Sequence, residues 1–458
     1  MLKVSRNTAI MAYEQLLAEG YLEARIGAAG TIVAAALPAT SHAQTPSKRV
    51  GPHQRNRSRA EIRLAAAGKR ILKAARSEAT GLGLPALTWE LTPAHLPFDF
   101  RPGRAAFPDV PYSLWCKLLG SRARGASIRD LEYGPPAGRW ELREAIAKRL
   151  HRLRGIDTGS ERVVIVNGTQ QALDLIARVL LDPGDRVLIE EPHYTGARCA
   201  LTAAGGDLVP VAVDDEGIQI PNASLRRSRL RLAYVTPSHQ FPTGIVLSAT
   251  RRLELLNWAS RTGAFVIEDD YDSEFRYDGP PLQALAGLDR QERVIYVGTF
   301  SKILFPALRL AYLVLPQSLV EPIVATKAVS DTGSAALEQL TLTDFITQGH
   351  FDRHLRRTNA INATRRATLV AALRKNFPNR VEIGGANAGL HLLAWLKGRD
   401  GGMIKDICAK GQMAGVGFYP VDPFYLKPPN RTGIVLGYAP LREPEIREGV
   451  SRLAKALA

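Results

Sequence analysis

The stretch Glu268-Asp269-Asp270-Tyr271-Asp272-Ser273-Glu274-Phe275-Arg276-Tyr277 follows an apolar run, Ala264-Phe265-Val266-Ile267. Some way on, Gly298-Thr299-Phe300-Ser301-Lys302 follows another, Val294-Ile295-Tyr296-Val297. Short β-branched runs of this kind read as buried strands. One delivers Asp269 and Tyr271 at its end, and the other delivers Lys302. In parallel α/β sheets, ligands gather at the carboxyl ends of such strands. A carboxylate, a phenol and an amine therefore converge on one sheet edge.

From about Leu96 the rest of the chain keeps this pattern. Val163–Val166, Val187–Ile189 and Leu232–Val235 are further short apolar runs, and helical stretches separate them. That alternation predicts a mostly parallel sheet. Asn167-Gly168-Thr169-Gln170 follows the first run and opens a helix through Ala172, Leu173, Leu175 and Ile176. A small-residue turn entering a helix presents free backbone N–H groups to an anion. Taken singly, Lys302 reads as a surface lysine and Asp269 as a helix cap. Their convergence is what gives them chemistry.

The wording Asp-Asp-Tyr-Asp-Ser-Glu-Phe and Thr-Phe-Ser-Lys resembles the fold-type-I aminotransferases, which use pyridoxal phosphate. More specifically it resembles the MocR/GabR group, bacterial regulators that carry this fold behind a DNA-binding module. The resemblance implies a mostly parallel large domain (about 130–325) and a small C-terminal domain (about 340–458) within residues 96–458. It implies Lys302 as the Schiff-base lysine, Asp269 against the pyridinium nitrogen and Tyr271 on the ring oxygen. Arg309, seven residues after Lys302, stands where the family places its phosphate-binding arginine, whose planar donors suit a dianion. Gly168, Thr169 and Gln170 match the phosphate cup, which Thr299 and Ser301 complete. Tyr194 matches the aromatic that stacks on the ring. Ser238, within Thr236-Pro237-Ser238-His239-Gln240-Phe241-Pro242-Thr243-Gly244, falls roughly where plain aminotransferases place an asparagine near the ring oxygen. Tyr133 matches a tyrosine that reaches the neighbouring subunit's phosphate, which implies a homodimer. Asp270 and Asp272 have no such match and read as structural.

The departures concern an effector's carboxylate. Ordinary family members carry an arginine where this chain has Val435, and the GABA-responsive regulator uses arginines that align with Gly196 and Pro423. None of the three can donate a bidentate pair, so GABA is not the expected effector.

Residues 1–36 read as part of a winged helix-turn-helix. Ser5 is a natural N-cap, Ala9, Tyr13, Leu16 and Leu17 recur at helical spacing, and Gly20 stops the helix. Leu22-Glu23-Ala24-Arg25 and Thr31-Ile32-Val33 then form a hairpin. The string Val4-Ser5-Arg6-Asn7-Thr8 is similar to the recognition helix of GntR-type regulators, which implies DNA contacts from Ser5, Arg6, Asn7, Thr8 and the wing residue Arg25. Two helices that precede it in that family are absent, and the expectation is a start upstream or a truncated gene. Residues 37–95 form a linker with a helix predicted over Arg59 to Glu78. Between Leu37 and Thr80, ten Lys and Arg face only Glu61 and Glu78. That segment carries half of the chain's net charge of +16, a distribution that favours contact with phosphates.

Nothing in the 458 residues approaches a membrane span or a secretion leader. The three cysteines, Cys116, Cys199 and Cys408, have no metal-type spacing and suit a reducing cytosol. No metal is expected. The functional expectation is a cytoplasmic regulator that binds DNA and pyridoxal phosphate, sensing the cofactor or an amino compound through it. The alternative is a working aminotransferase with a vestigial DNA-binding fragment.

Overall fold

The computed structural model describes residues 5–24, 30–34, 63–78, 96–220, 230–277, 282–385, 387–397, 404–427 and 429–457. The chain forms two compact units, Met1–Arg63 and Leu64–Ala458.

In the first unit, a helix spans Arg6–Ala18. Ser5 caps it, its Oγ accepting the Thr8 N–H at 3.1 Å. Gly20 follows with φ +76°, a left-handed residue that ends the helix. The strands Leu22–Ala24 and Thr31–Val33 then pair antiparallel, with Leu22 opposite Val33. The helix buries no residue, and Ile10, Met11, Tyr13 and Leu16 stay exposed. Arg25 lies outside the described residues.

The second unit opens with a helix over Ala66–Glu78. Residues 63–65 are not helical, and residues 59–62 of the predicted helix lie outside the described residues. In the described helix, Ala74 is buried, and Arg70 Nε donates to Ala203 O at 3.4 Å on the helix Thr195–Ala204. A helix this short takes its stability from packing, not from propensity.

An eight-stranded sheet forms the centre. Its order is Val163–Val166, Ala311–Val314, Val294–Thr299, Phe265–Asp270, Leu230–Val235, Arg186–Glu191, Asp207–Asp214, Gly217–Ile218. Only Ala311–Val314 and the terminal Gly217–Ile218 run against the rest. The predicted runs lie inside these strands because helices cover both faces, which demands continuous apolar sequence. The helix Thr169–Leu180 buries Ala172, Leu173, Leu175 and Ile176. Each large side chain so buried contributes roughly 1.5–3 kcal/mol. Asp269 pairs with Val297 in register. The ends of the two decisive strands therefore lie side by side.

Towards the C-terminus, Val381–Gly384, His391–Leu396, Thr432–Gly437 and Tyr419–Pro420 make an antiparallel four-stranded sheet. The long helix His350–Asn376 and the helix Glu443–Ala456 bury Leu369, Leu373, Ile446 and Val450 in the core beside this sheet. Among the described residues, no helix is long and apolar enough to cross a membrane.

Candidate active site

A cavity of about 560 Å³ opens at the carboxyl ends of the central strands. Asp269, Tyr271, Thr299, Ser301, Lys302, Arg309, Thr169, Gln170 and Tyr194 line it. Nine of the residues singled out from the sequence thus meet at one place.

Lys302 Nζ donates to Gly103 O at 2.7 Å. Burial lowers the pKa of its ammonium, partly opposed by the Asp269 and Asp272 carboxylates. Asp269 Oδ2 accepts from the Tyr234 hydroxyl at 2.7 Å, while Oδ1 is buried with no partner. Burial pushes this carboxyl up to about 7. Glu190 is likewise pushed to about 7 by burial, although Thr236 and Gln240 donate to it.

The turn before the helix Thr169–Leu180 is built around Gly168, whose φ is +119°. A Cβ on Gly168 would fall 2.7 Å from Arg309 Nη2. Glycine is what lets the guanidinium lie against the turn. Gln170 Nε2 donates to Gly196 O at 3.0 Å, and its buried Oε1 has no partner. Thr299 Oγ1 accepts the Ser301 N–H at 3.2 Å. Tyr194 stands edge-on to Phe241, with ring centroids 6.0 Å apart.

Two of the residues singled out lie elsewhere. Ser238 is not part of the cavity wall. Its hydroxyl accepts from the buried Arg154 at 2.6 Å, and Thr236 and Phe241 line the cavity on either side of it in sequence. Tyr133 is 93% exposed and outside the cavity. Asp270 is structural as expected: it pairs with Arg154 at 2.8 Å and accepts from the Tyr296 hydroxyl at 2.6 Å.

Other participants escaped the sequence reading. Tyr234 sits mid-strand in an apolar run and gave no signal. His239 lay inside the quoted Thr236–Gly244 run, yet only contact shows that it meets Tyr271 at 2.9 Å and Asp272 at 3.0 Å. Arg101, Gly103 and Arg104 also line the cavity, from a segment some 200 residues before Lys302. Arg101 Nε donates to the Tyr419 hydroxyl at 2.8 Å, and Arg104 Nη1 lies 3.3 Å from Asp99. These two arginines stand at the cavity, whereas Val435 is buried in the small sheet.

The fold and the site together define a class. The family profile "Aminotransferase class I and II" matches residues 118–401. The α-aminoadipate aminotransferase LysN of Thermus thermophilus, solved with N-(5'-phosphopyridoxyl)-L-leucine, superposes with a TM-score of 0.74 at 28% identity, over 86% of this chain and 97% of that one. Among curated proteins, the probable rhizopine catabolism regulatory protein MocR of Rhizobium meliloti is 37% identical over 99% of this chain and 87% of its own. The HTH-type transcriptional regulator TauR of Rhodobacter capsulatus is 32% identical over 100% and 90%. The chain belongs to the class I and II aminotransferase family, in its MocR-type regulator group.

Proposed function

We propose that this chain is a cytoplasmic transcription regulator that binds DNA and pyridoxal phosphate, and that it senses the cofactor or an amino compound presented to it. The observation that carries the reading is Asp269. Its Oδ1 is buried and unpartnered in a cavity that is also lined by the half-buried Lys302. A buried polar atom without a partner is costly, and a protonated ring nitrogen satisfies it. The rest of the donor set fits the same group. Arg309 against the glycine turn and the N–H groups of the helix start suit a phosphate. Tyr194 supplies a flat apolar face and Tyr271 a hydroxyl.

When bound, pyridoxal phosphate supplies an electron-accepting ring. The chain's residues do the remainder. Lys302 is the point of covalent attachment, and its depressed pKa keeps a larger fraction as free amine. Asp269 holds the ring proton. Arg309, Thr169, Gln170, Thr299 and Ser301 hold the phosphate, with Tyr133 offered to a second subunit. An anionic group on an effector would meet Arg101 and Arg104. DNA contact falls to Ser5, Arg6, Asn7, Thr8 and Arg25, with the basic linker adding non-specific affinity.

Borohydride reduction of protein loaded with pyridoxal phosphate, followed by peptide mass mapping, tests the site. A pyridoxyl group on Lys302 is expected, and its appearance on another lysine overturns the assignment. Lys302→Ala should lose the visible band while retaining some cofactor. DNA binding should weaken steeply with salt, and insensitivity to salt would count against the phosphate-contact reading. Catalytic turnover is the second reading, favoured by the lowered pKa of the Lys302 amine in the cavity. Assays with a panel of amino donors separate the two, since a regulator needs no sustained turnover.

A further inference from the structure

We propose that His239, oriented by Asp272, is a positioning residue that turns the Tyr271 hydroxyl proton into the cofactor cavity. The proposal rests on the reading of that cavity as a pyridoxal phosphate site. Tyr271 Oη lies 2.9 Å from His239 Nδ1, and Asp272 Oδ2 lies 3.0 Å from the same nitrogen. A ring nitrogen offers either a hydrogen or a lone pair. Burial raises the Asp272 pKa, and His239 and Lys302 oppose that rise. As a carboxylate Asp272 only accepts, so the hydrogen belongs on Nδ1, shared towards Asp272 and Tyr271. The phenol oxygen is then an acceptor on that side, and its own hydrogen is left over. Among the described residues the hydroxyl has no other hydrogen-bond partner, and Tyr271 lines the cavity. The cavity is where that hydrogen can find an acceptor. In the opposite tautomer, the Nδ1 lone pair would face a carboxylate oxygen at 3.0 Å.

The surroundings support the same tautomer and hold it still. His239 Nε2 is buried without a partner, and an N–H stranded there would cost a full desolvation penalty. A Cβ on Gly389 would fall 2.1 Å from His239 Cε1, and one on Gly244 2.9 Å from Nε2. Backbone on both sides therefore clamps the ring. His391, 5.1 Å away between centroids, points its own Nε2 at Pro242 O at 3.2 Å, so that nitrogen carries the hydrogen. Burial and His239 push the His391 pKa well below its usual range, and it stays neutral. The remaining charged neighbours are acids: Asp269, Asp270 and Glu190 act on Tyr271 together with Asp272, and Lys302 faces Asp269. Acids alone make a phenol a poorer donor. An N–H directed at its oxygen opposes them. Phe241 stands edge-on to Tyr271 at 5.9 Å, so the adjoining wall is apolar and leaves the donation to Tyr271.

A donor at the ring oxygen favours its anionic form. The protonated form of the bound cofactor should persist to higher pH when that donor weakens. The test is a pH titration of the visible band in protein loaded with pyridoxal phosphate, for wild type, Tyr271→Phe, His239→Phe, His239→Gln and Asp272→Asn. Losing one hydrogen bond predicts a rise of about half to one pH unit for His239→Phe and Asp272→Asn. Tyr271→Phe should rise further. His239→Gln should rise less, because its amide N–H can take the Nδ1 role. Midpoints within about 0.2 unit of wild type in folded Asp272→Asn protein, or a His239→Gln midpoint raised as far as that of Tyr271→Phe, overturn the proposal, even if His239→Phe fails to fold. A second measurement needs no cofactor. Nitrogen-15 NMR of labelled histidines, with the His239 signal assigned by its loss in His239→Gln, should show the Nδ1–H tautomer. The Nε2–H tautomer overturns the proposal. If wild type takes up no pyridoxal phosphate, the proposed cofactor site fails while the NMR result still decides the tautomer.

Discussion

At the scale of single residues, this site is organised around groups that the fold leaves unsatisfied. Asp269 is the clearest. Its pKa rises from 3.8 to about 7 on folding, so between those values the folded protein holds a proton that the unfolded chain has released. Stability contributed by the protonated carboxyl is therefore present at low pH and is lost as pH rises through about 7. Asp269→Asn should stabilise the cofactor-free protein at pH 8.5 by roughly 1–3 kcal/mol, with less than half of that gain at pH 5. Denaturant unfolding at the two pH values checks this, and an equal gain at both would show that burial is not the cause. The same variant should bind pyridoxal phosphate more weakly, a trade between stability and function. Gly168→Ala acts through space and backbone together. A Cβ there meets Arg309 Nη2 at 2.7 Å, at φ +119°. Such strain costs on the order of 1–3 kcal/mol. Phosphate affinity should fall at least tenfold, as measured by cofactor titration, and unchanged affinity would remove Arg309 from the phosphate site.

At the scale of elements, the question is what joins the strand ends to the helices around them. Arg154 ends the helix Trp140–Arg154 and reaches Asp270 at the end of the strand Phe265–Asp270, 2.8 Å away and almost fully buried. Its guanidinium also donates to Ser238 and to Leu282 O. Arg154→Met would strand the Asp270 carboxylate in the interior, at a cost of about 3–5 kcal/mol. Pairing that change with Asp270→Leu should recover much of the loss in thermal melts, and no recovery would mean that the arginine matters for packing alone. This pair also marks where sequence reading stops. The strands were legible because sheet cover on both faces forces runs such as Val163–Val166, and Asp269, Tyr271 and Lys302 were legible because they sit at the ends of such runs. Arg154 and Asp270 lie 116 positions apart with nothing in either segment to announce the other. Ser238 went astray for that reason: the loop's hydroxyl satisfies Arg154 and leaves the cavity to Thr236 and Phe241.

At the scale of the whole molecule, the proposed homodimer has exposed apolar residues to draw on. Tyr112, Ile128, Leu131, Tyr133 and Trp140 fall within one stretch, and Ile128 and Leu131 are 80% and 69% exposed. Scattered apolar side chains are ordinary on a surface, but Ile128, Leu131 and Tyr133 on and just after one short helix would suit the proposed subunit contact. Tyr133 follows closely at 93% exposure and does not line the cavity of its own chain. A twofold pair would bury this face and bring each Tyr133 towards the partner's phosphate site. It would also provide two copies of the Arg6–Ala18 helix, as a symmetric operator requires. The expected species in size-exclusion chromatography with light scattering is a dimer of the 49.9 kDa chain. Ile128→Glu with Leu131→Glu should yield monomer, and cofactor affinity should fall at least tenfold in that monomer although no cavity residue has changed. Tyr133→Phe should keep the dimer and lose a smaller part of the affinity, the share owed to one hydroxyl. A monomeric wild type that holds pyridoxal phosphate as tightly as the double variant would place Tyr133 outside the site altogether.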